Sequence, residues 1–188
     1  MDKFRKIQLP IRRMLENGDL VELDWMLPQE QNAVREILNA IITEGKTYPQ
    51  EHPLSEQEFA AAWLAYDGFV VRNISDENEP TSGEIVAAFY LKPNFPGRSS
   101  HICNAGFIVQ PSWRGRGVGR FMGETMLEIA PNLGYKAVMF NLVFETNVPS
   151  LRLWKNLGFE TIGRIPKAVR LSKRRMVDAL ILYRRLDG

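Results

Sequence analysis

The sequence is poor in features that would by themselves define a function. Its 188 residues include one cysteine, Cys103, which cannot form an internal disulfide and gives no reason to expect an oxidising compartment. There are two histidines, and no group of His, Cys, Asp or Glu residues has the spacing of metal ligands, so we expect no metal site. No apolar run approaches the roughly 18 residues of a membrane-spanning helix, and we expect no membrane partner.

An excess of one charge sign is also lacking. The 24 Lys and Arg residues against 22 Asp and Glu leave a formal net charge of +2, which disfavours a dedicated binder of nucleic acid or of a membrane surface. With 45% hydrophobic and 24% charged residues, the composition is that of an ordinary globular protein. At roughly 150 residues per domain, we expect one domain at residues 19–188, preceded by an N-terminal arm at 1–18.

The arm bears on the cellular compartment. It begins MDKFRKIQLPIRR, with five basic residues against Asp2 and without the apolar core of a secretory signal. Organellar transit peptides share such a basic bias, but this segment has no serine, and Pro10 interrupts a long amphipathic helix. We therefore expect a solvated arm and a cytoplasmic protein, with import into an organelle left open.

Hydrophobic periodicity predicts a mixed sheet flanked by helices. Strand patterns cover residues 20–25, 69–73, 84–91, 101–109, 136–144, 159–164 and 179–186. Helical spacing covers about 33–45, 55–68, 119–130 and 149–157, with a polar loop predicted at 75–83 and a basic loop between the last two strands. Early strands follow one another as hairpins and later ones alternate with helices, so we expect an α/β (α+β) domain with about seven strands and four or more helices.

The most informative stretch is QPSWRGRGVG, at residues 110–119 between a strand and a helix. Gly115, Gly117 and Gly119 let the backbone approach a ligand closely, and the helix start presents unpaired N–H groups. Such a loop favours phosphate oxygens. A turn that only links strand to helix is the alternative, but it would not require the flanking Arg114.

Two common nucleotide-binding motifs do not fit this loop. A P-loop requires lysine and then serine or threonine after its last glycine, but Gly119 is followed by Arg120. A dinucleotide fingerprint requires glycines at the first, third and sixth positions, and counting from Gly115 or Gly117 places Arg120 or Met122 at the sixth.

The pattern Arg-x-x-Gly-x-Gly at residues 114–119 resembles the pyrophosphate-binding motif of the GCN5-related N-acetyltransferases. Asn147 and the following LRLWKNLGF (151–159) resemble that superfamily's next block. The resemblance implies that acetyl-CoA is the cosubstrate and that its pantetheine arm enters between splayed fourth and fifth strands, here 101–109 and 135–144. It implies coenzyme contacts at Ile108, Val109, Arg114, Gly115, Arg116, Gly117, Val118, Gly119 and Asn147.

A narrower resemblance concerns the acyl acceptor. The blocks at 45–59, 89–109 and 133–147 resemble the fungal N-acetyltransferases that act on proline analogues such as azetidine-2-carboxylate and cis-4-hydroxyproline. That family's substrate-site asparagines correspond to Asn104 and Asn141, which are therefore our candidate catalytic residues. The resemblance also implies a homodimer and a role in detoxification or proline-related metabolism.

The residue types agree with this reading but leave alternatives open. Neither Asn104 nor Asn141 can titrate, yet an amide side chain can hold an amine and a carboxylate and so orient an acceptor. Alternatively, each amide bonds neighbouring backbone at a splay in the sheet. We expect Cys103 to be a small buried hydrophobe rather than a nucleophile.

The usual proton donor of the superfamily is missing, because Trp154 occupies the position of its tyrosine and an indole cannot act as a general acid. We expect Trp154 to be a packing residue. His101, His52 and Glu145 are weak candidates for a base.

The sequence therefore leaves more than one class of acyl acceptor possible. We expect a small amino or imino acid, with another small amine or a protein amino group as the alternative, and a non-catalytic coenzyme-binding regulator as a further one. The basic segment at 164–175 is expected to be a solvated loop, or to attract the coenzyme's 3′-phosphate, an anionic substrate or nucleic acid.

Overall fold

The computed structural model describes residues 8–74, 83–172 and 174–186 and shows a mixed eight-stranded sheet. The strands are β1 Ile11–Met14, β2 Leu20–Trp25, β3 Asp67–Asn73, β4 Glu84–Pro93, β5 Ile102–Val109, β6 Ala137–Phe144, β7 Glu160–Ser172 and β8 Arg175–Arg185. Their spatial order is β1-β2-β3-β4-β5-β6-β8-β7. The expected α/β class is confirmed, with one strand more than the sequence predicted.

Four helices cover the sheet: α1 Gln31–Glu44, α2 Glu56–Phe59, α3 Val118–Asn132 and α4 Val148–Asn156. Helix α1 ends at Gly45, which adopts the left-handed conformation that a glycine tolerates best. Ser55 and Glu58 form the predicted capping box of α2. The helix predicted to reach about residue 68 is shorter, because α2 changes after one turn into a π-helical segment, Ala60–Leu64. No helix among the described residues is long and apolar enough to cross a membrane.

Two apolar cores lie on opposite faces of the sheet. Beneath α1 and α2, the side chains of Val34, Leu38, Phe59 and Trp63 pack against strand residues such as Ile108. On the other face, strand residues pack against α3 and α4. Alternate residues of each strand therefore point toward different helix pairs, which decides the face on which each candidate site residue lies.

The splay expected in the sheet is present. All strand pairs in the described residues are antiparallel except β5–β6, and that parallel pair is joined only through Ile102–Ala137 and Cys103–Val138. Beyond Cys103, no described residue of β5 pairs with a residue of β6, so a cleft opens between the two strands.

Two predictions for the ends of the chain are wrong. The expected solvated arm contains β1, which pairs with β2, and Leu15 behind it is only 7% exposed. Strand β1 is hard to find in the sequence, because it has only four residues, lies at a sheet edge and places Arg12 and Arg13 between Ile11 and Met14.

The basic segment at 164–175 is not a loop, since its described residues belong to the β7–β8 hairpin. An edge strand tolerates outward charges, which hides it from a search for apolar runs.

The polar loop predicted at 75–83 falls almost entirely outside the described residues, which resume at residue 83. Residues 1–7 of the predicted arm lie outside them as well.

Candidate functional site

The glycine-rich loop leads directly into α3. A short 3-10 turn, Pro111–Trp113, follows β5, and Trp113 is 6% exposed within the core. Gly115 and Gly117 have φ values of +77° and +91°, so a side chain at either position would strain the backbone. Gly117 precedes the first residue of α3, Val118, whose side chain is buried in the core. Val118 can therefore offer a coenzyme its backbone only.

The backbone N–H groups of this loop are available to a ligand. The first amide bonded within α3 is that of Phe121, which donates to the carbonyl oxygen of Gly117 at 3.0 Å. Across the described residues, the N–H groups of residues 115–120 have no hydrogen-bond acceptor. Several free N–H groups at the positive end of a 15-residue helix suit an anion such as pyrophosphate.

The arginines of the loop are held by carboxylates. Arg114 Nη1 lies 2.9 Å from Glu44 Oε2 at the end of α1. Arg116 Nη1 lies 3.1 Å from Asp19 Oδ2, and its guanidinium lies over the Trp113 ring. Because each positive charge already faces a carboxylate, the amides are the stronger candidates for phosphate contact, and the arginines add charge at the rim.

Strand β5 presents alternate backbone groups to the cleft. Gln110 N donates to Val86 O at 2.8 Å, and the β4–β5 register is continuous from Val109 to Cys103. Antiparallel pairing alternates, so the backbone of Ile108 bonds β4 whereas the backbones of Phe107 and Val109 face the cleft. The side chain of Ile108 is 1% exposed. Of the two predicted contacts here, Val109 can offer a free N–H group to a coenzyme and Ile108 cannot.

The loop between α1 and α2 closes over this cleft. Tyr48 donates its hydroxyl to the carbonyl oxygen of Phe107 at 3.1 Å. Burial, together with the nearby Tyr90, raises the pKa of Tyr48 well above its ordinary value. Tyr48 therefore stays protonated and fixes the loop to β5, rather than acting as a base.

Asn104 lies where the splay begins. It is the first β5 residue beyond the last parallel pair, Cys103–Val138, and it is half-buried opposite Lys92 of β4. Cys103 points into the α3 core, so Asn104 points to the opposite face, which α1 and α2 cover. Tyr90 and Gly106 belong to this same face by the same alternation, and the Tyr90 ring lies over Gly106.

Asn141 lies on the same face of β6. Its neighbour Phe140 points into the α3 core, so Asn141 points away from it. The β6–β8 register shifts between Phe140 and Val143, which leaves Asn141 without a pairing partner in β8. Bulges of this kind re-aim a side chain. The fold therefore brings Asn104 and Asn141 to one face on the two strands that diverge, although they make no hydrogen bond to each other in the described structure.

Sequence reasoning missed Asn94. This residue follows β4, and its side-chain amide forms two hydrogen bonds with that of Asn141. The two residues are 47 positions apart. No periodicity or local spacing indicates such a pair, because it depends on how the splayed strands and the loop after β4 come together.

Asn147 has a structural role in this structure. It precedes α4, and its Oδ1 accepts a hydrogen bond from Ser150 N at 3.4 Å, as an N-cap residue does. Its side-chain NH₂ group makes no hydrogen bond among the described residues and is the part available to a coenzyme.

Trp154 and Cys103 are core residues, as the sequence predicts. Trp154 is 4% exposed, and its ring lies 4.5 Å from that of Phe140 and 4.9 Å from that of Phe107. Cys103 is fully buried, and burial raises the pKa of its thiol to about 12. A thiol in that state is a poor nucleophile.

Neither histidine makes a hydrogen bond to Asn94 or Asn141 among the described residues, and nor does Glu145. His52 and His101 are exposed in loops, and Glu145 accepts from Arg164 at 3.2 Å and from the amide of Asp178. Within the described ranges, no group of three or more His, Cys, Asp or Glu residues is arranged to hold a metal ion.

A splayed β5–β6 pair beside a glycine loop with free amides defines a fold that transfers acyl groups from a coenzyme. The chain matches the model of the acetyltransferase (GNAT) family over residues 33–159 and belongs to that family, so it is an N-acetyltransferase. Acetyl-CoA is the cosubstrate of this family.

Individual relatives agree with this assignment. The chain is 38% identical to the N-acetyltransferase aca1 of Schizosaccharomyces pombe over 155 residues, which cover 77% of this chain and 74% of that protein. It is 28% identical to the L-amino acid N-acetyltransferase AaaT of Escherichia coli over 102 residues, covering 54% and 62% respectively. The structure of yncA from Salmonella typhimurium, solved with acetyl-CoA, superposes with a TM-score of 0.77 at 17% identity and covers 89% of this chain and 95% of its own. At that identity the likeness is one of fold.

Proposed function

We propose that the protein acetylates the nitrogen of a small amino or imino acid, with proline analogues such as azetidine-2-carboxylate and cis-4-hydroxyproline as preferred acceptors. The observation that carries this proposal is the placement of Asn104 and Asn141 on one sheet face, on the two strands that diverge. The sequence resemblance to proline-analogue acetyltransferases supports it. So does the likeness to an L-amino acid N-acetyltransferase.

The charge of this face fits an acceptor that carries a carboxylate. Lys92 lies opposite Asn104, and its ammonium is 5.3 Å from the centre of the Tyr90 ring. No carboxylate pairs with Lys92 among the described residues. A cation and two amides on one face can therefore meet a carboxylate and an amine without a titrating protein group.

Acetyl transfer would use the backbone of β5. In the proposed step, the acceptor nitrogen attacks the thioester carbonyl, an N–C bond forms, and the C–S bond breaks to release coenzyme A. The Phe107 N–H group, which also faces the cleft and lies nearer to Asn104 along β5 than that of Val109, would stabilise the developing negative charge on the carbonyl oxygen. Water or a backbone carbonyl would take the proton of the amine, and water would protonate the thiolate.

Tyr48 and Tyr90, which are partly buried on this side of the sheet, are poor candidates for the base. Burial raises the pKa of Tyr90, as it does that of Tyr48. Each would remain a protonated phenol at neutral pH. We therefore propose that positioning of the acceptor contributes more than acid–base catalysis by a side chain.

Coenzyme release with a panel of acceptors tests the proposal. We expect thiol release with azetidine-2-carboxylate and cis-4-hydroxyproline, and Asn141→Ala should lower turnover of these acceptors by about 10- to 100-fold while leaving coenzyme affinity unchanged. Turnover of a protein amino group or an unrelated small amine, with none for imino acids, would replace the proposed acceptor class.

We further propose a cytoplasmic homodimer that detoxifies such analogues, on the strength of the family resemblance. Ile162 and Met176 of the β7–β8 hairpin are 54% and 47% exposed and offer apolar surface for assembly. Light scattering coupled to size exclusion would return twice the chain mass of 21.5 kDa for a dimer. A single chain mass at micromolar concentration would overturn this assembly.

A further inference from the structure

The side-chain amides of Asn94 and Asn141 form a reciprocal pair. Asn94 Nδ2 donates to Asn141 Oδ1 at 2.9 Å, and Asn141 Nδ2 donates to Asn94 Oδ1 at 2.6 Å. Each amide thus uses one donor and one acceptor on the other. Because a rotation of one amide alone by half a turn would place like groups together, each amide restrains the orientation of the other.

The pair leaves Asn141 with defined capacity for a ligand. An amide side chain has two N–H donors and two acceptor lone pairs, so Asn141 retains one N–H group and one lone pair after bonding Asn94. Those groups now have fixed directions. A free N–H group with a fixed direction is what a carboxylate or a ring hydroxyl of an acceptor requires.

Little else in the described structure holds Asn141. Its side chain is exposed, so packing does not restrict its rotamer. Its backbone lies in the register shift of β6, where strand pairing with β8 is interrupted. An exposed side chain on an unpaired stretch samples several rotamers unless a specific bond restrains it, and ordering it at binding has an entropic cost.

Asn94 is itself well anchored. Its backbone N–H donates to the carbonyl oxygen of Ile102 at 2.8 Å, which continues the β4–β5 ladder by one residue. Pairing with Ile102 also places Asn94 on the face shared by Asn104 and Asn141, since residues two apart on β5 point the same way. A residue anchored beside β5 therefore restrains an exposed residue of β6.

We propose that Asn94 is a positioning residue for acceptor binding: its amide holds Asn141 in the orientation that presents a free N–H group to the acceptor. The inference rests on the proposed function, because it assigns Asn141 to the acceptor site. Asn94 determines acceptor affinity without contacting the coenzyme.

A double-mutant cycle tests this role. The variants are Asn94→Ala, Asn141→Ala and the double variant, and Asn132→Ala at the end of α3 is the matched control, since its amide also bonds a carbonyl on the surface. We expect Asn94→Ala to raise KM for cis-4-hydroxyproline about five- to twentyfold while KM for acetyl-CoA and Tm stay at the wild-type values. In the Asn141→Ala background, Asn94→Ala should have no further effect.

A second substitution separates orientation from shape. Asn94→Asp keeps the side-chain outline but replaces the donor Nδ2 by an acceptor, so Asn141 Oδ1 loses its partner. We expect a rise in acceptor KM at least as large as that of the alanine variant. A merely structural role would instead lower Tm, and would leave the ratio of the two KM values constant.

The outcomes separate the two proposals. If the wild type acetylates imino acids and Asn141→Ala impairs it, but both Asn94 variants match the wild type, the positioning role is wrong and the proposed function stands. Additive effects in the double variant would also overturn it. If the wild type acetylates no imino acid while remaining active with another amine, the proposed function fails.

Discussion

At the scale of single residues, Gly106 shows how an absent side chain shapes the sheet face that carries Asn104 and Asn141, which we propose binds the acceptor. A Cβ at this position would lie 2.8 Å from Cζ and 2.9 Å from the hydroxyl oxygen of Tyr90, so the ring must move to admit it. The ring is held by Trp63, with centroids 4.9 Å apart in an edge-to-face contact. The glycine therefore allows an aromatic ring to lie flat over β5 beside Asn104.

We expect Gly106→Ala to destabilise the fold by about 1–3 kcal/mol and to raise acceptor KM, since overpacking displaces the Tyr90 ring. Denaturant unfolding and acceptor kinetics measure the two effects. Gly163→Ala in β7 is the matched control, because the tightest contact of its Cβ would be with the flexible tip of Ile181, Cδ1, at 3.2 Å. Equal effects of the two substitutions would contradict the role assigned to the Tyr90 ring.

Cys103 provides a second test at this scale. Its complete burial and a pKa of about 12 mean that it remains a protonated, inaccessible thiol at any physiological pH. A thiol reagent such as DTNB should therefore not label the folded protein at mildly alkaline pH, and should react once per chain after unfolding in guanidinium. Rapid labelling of the folded state would show that the β5 core opens readily.

Residue roles differed in how far the sequence could predict them. The burial of Cys103 and Trp154 was predictable from residue type and strand alternation, and both predictions are confirmed. The link between Asn94 and Asn141 was not, because a contact across 47 residues depends on the fold. The backbone of Ile108 bonds β4 and is not free for a coenzyme. This could not be predicted from the sequence, because the alternation of hydrogen bonds can be assigned only once the β4–β5 register is known.

At the scale of elements, the proposed coenzyme site depends on the junction between the glycine loop and α3. Gly117 has a φ of +91°, and Gly134 beyond the other end of the same helix has the same value. The two positions share a backbone conformation that disfavours a side chain, but only Gly117 adjoins the free amides.

We expect Gly117→Ala and Gly134→Ala to destabilise the fold equally, by about 1–2 kcal/mol, since each forces an L-residue into the left-handed region. Only Gly117→Ala should weaken coenzyme A binding, measured by calorimetry. The account of the loop would fail if the two variants bound coenzyme A equally well.

The elements also show why prediction succeeded for some segments and failed for others. Helices α1, α3 and α4 have an apolar stripe facing a core, and periodicity located each within a few residues. Strand β7 lies at a sheet edge, and most of its residues are exposed, so the sequence predicts a strand only as far as residue 164 and a loop in the basic remainder. There Arg164 pairs with Asp178 of β8, and Arg170 pairs with Glu51 of the α1–α2 loop. These ion pairs join β7 to its neighbouring strand and to that loop.

At the scale of the whole molecule, a buried charge network joins the first half of the sheet to α1. Arg72 of β3 is fully buried, and its Nε lies 2.6 Å from Glu30 Oε1, just before α1, while Nη1 lies 3.4 Å from Glu22 of β2. Burial alone would lower the pKa of Arg72, but its hydrogen bond to Glu30 and the neighbouring carboxylates outweigh burial and raise it. Arg72 therefore stays charged and, through its contacts with Glu22 and Glu30, fixes α1 against the sheet.

We expect Arg72→Ala to lower the free energy of unfolding by about 3–5 kcal/mol, because it leaves Glu30 as a buried carboxylate without a cationic partner, whereas Glu22 keeps Arg12. Chemical denaturation measures this. Arg120→Ala, which breaks a surface pair with Glu124 on α3, should cost less than about 1 kcal/mol. Similar losses in the two variants would mean that the Arg72 network is solvated.

The whole-molecule account joins these parts into one cleft. The glycine loop and the Val109 backbone lie at one end of the splay, and we propose that the face with Asn104, Asn141 and Lys92 receives the acceptor. Tyr48 closes the cleft from the α1–α2 loop. In the proposed arrangement the coenzyme and the acceptor would meet between β5 and β6.

A crystal structure with coenzyme A and cis-4-hydroxyproline tests the central claim most directly. We predict electron density for the imino acid in the cleft between β5 and β6, within hydrogen-bond distance of the side chains of Asn104 and Asn141, with its nitrogen directed toward the coenzyme sulfur. Density for coenzyme A on the glycine loop, with the imino acid bound elsewhere or absent at saturating concentration, would contradict the proposed acceptor site.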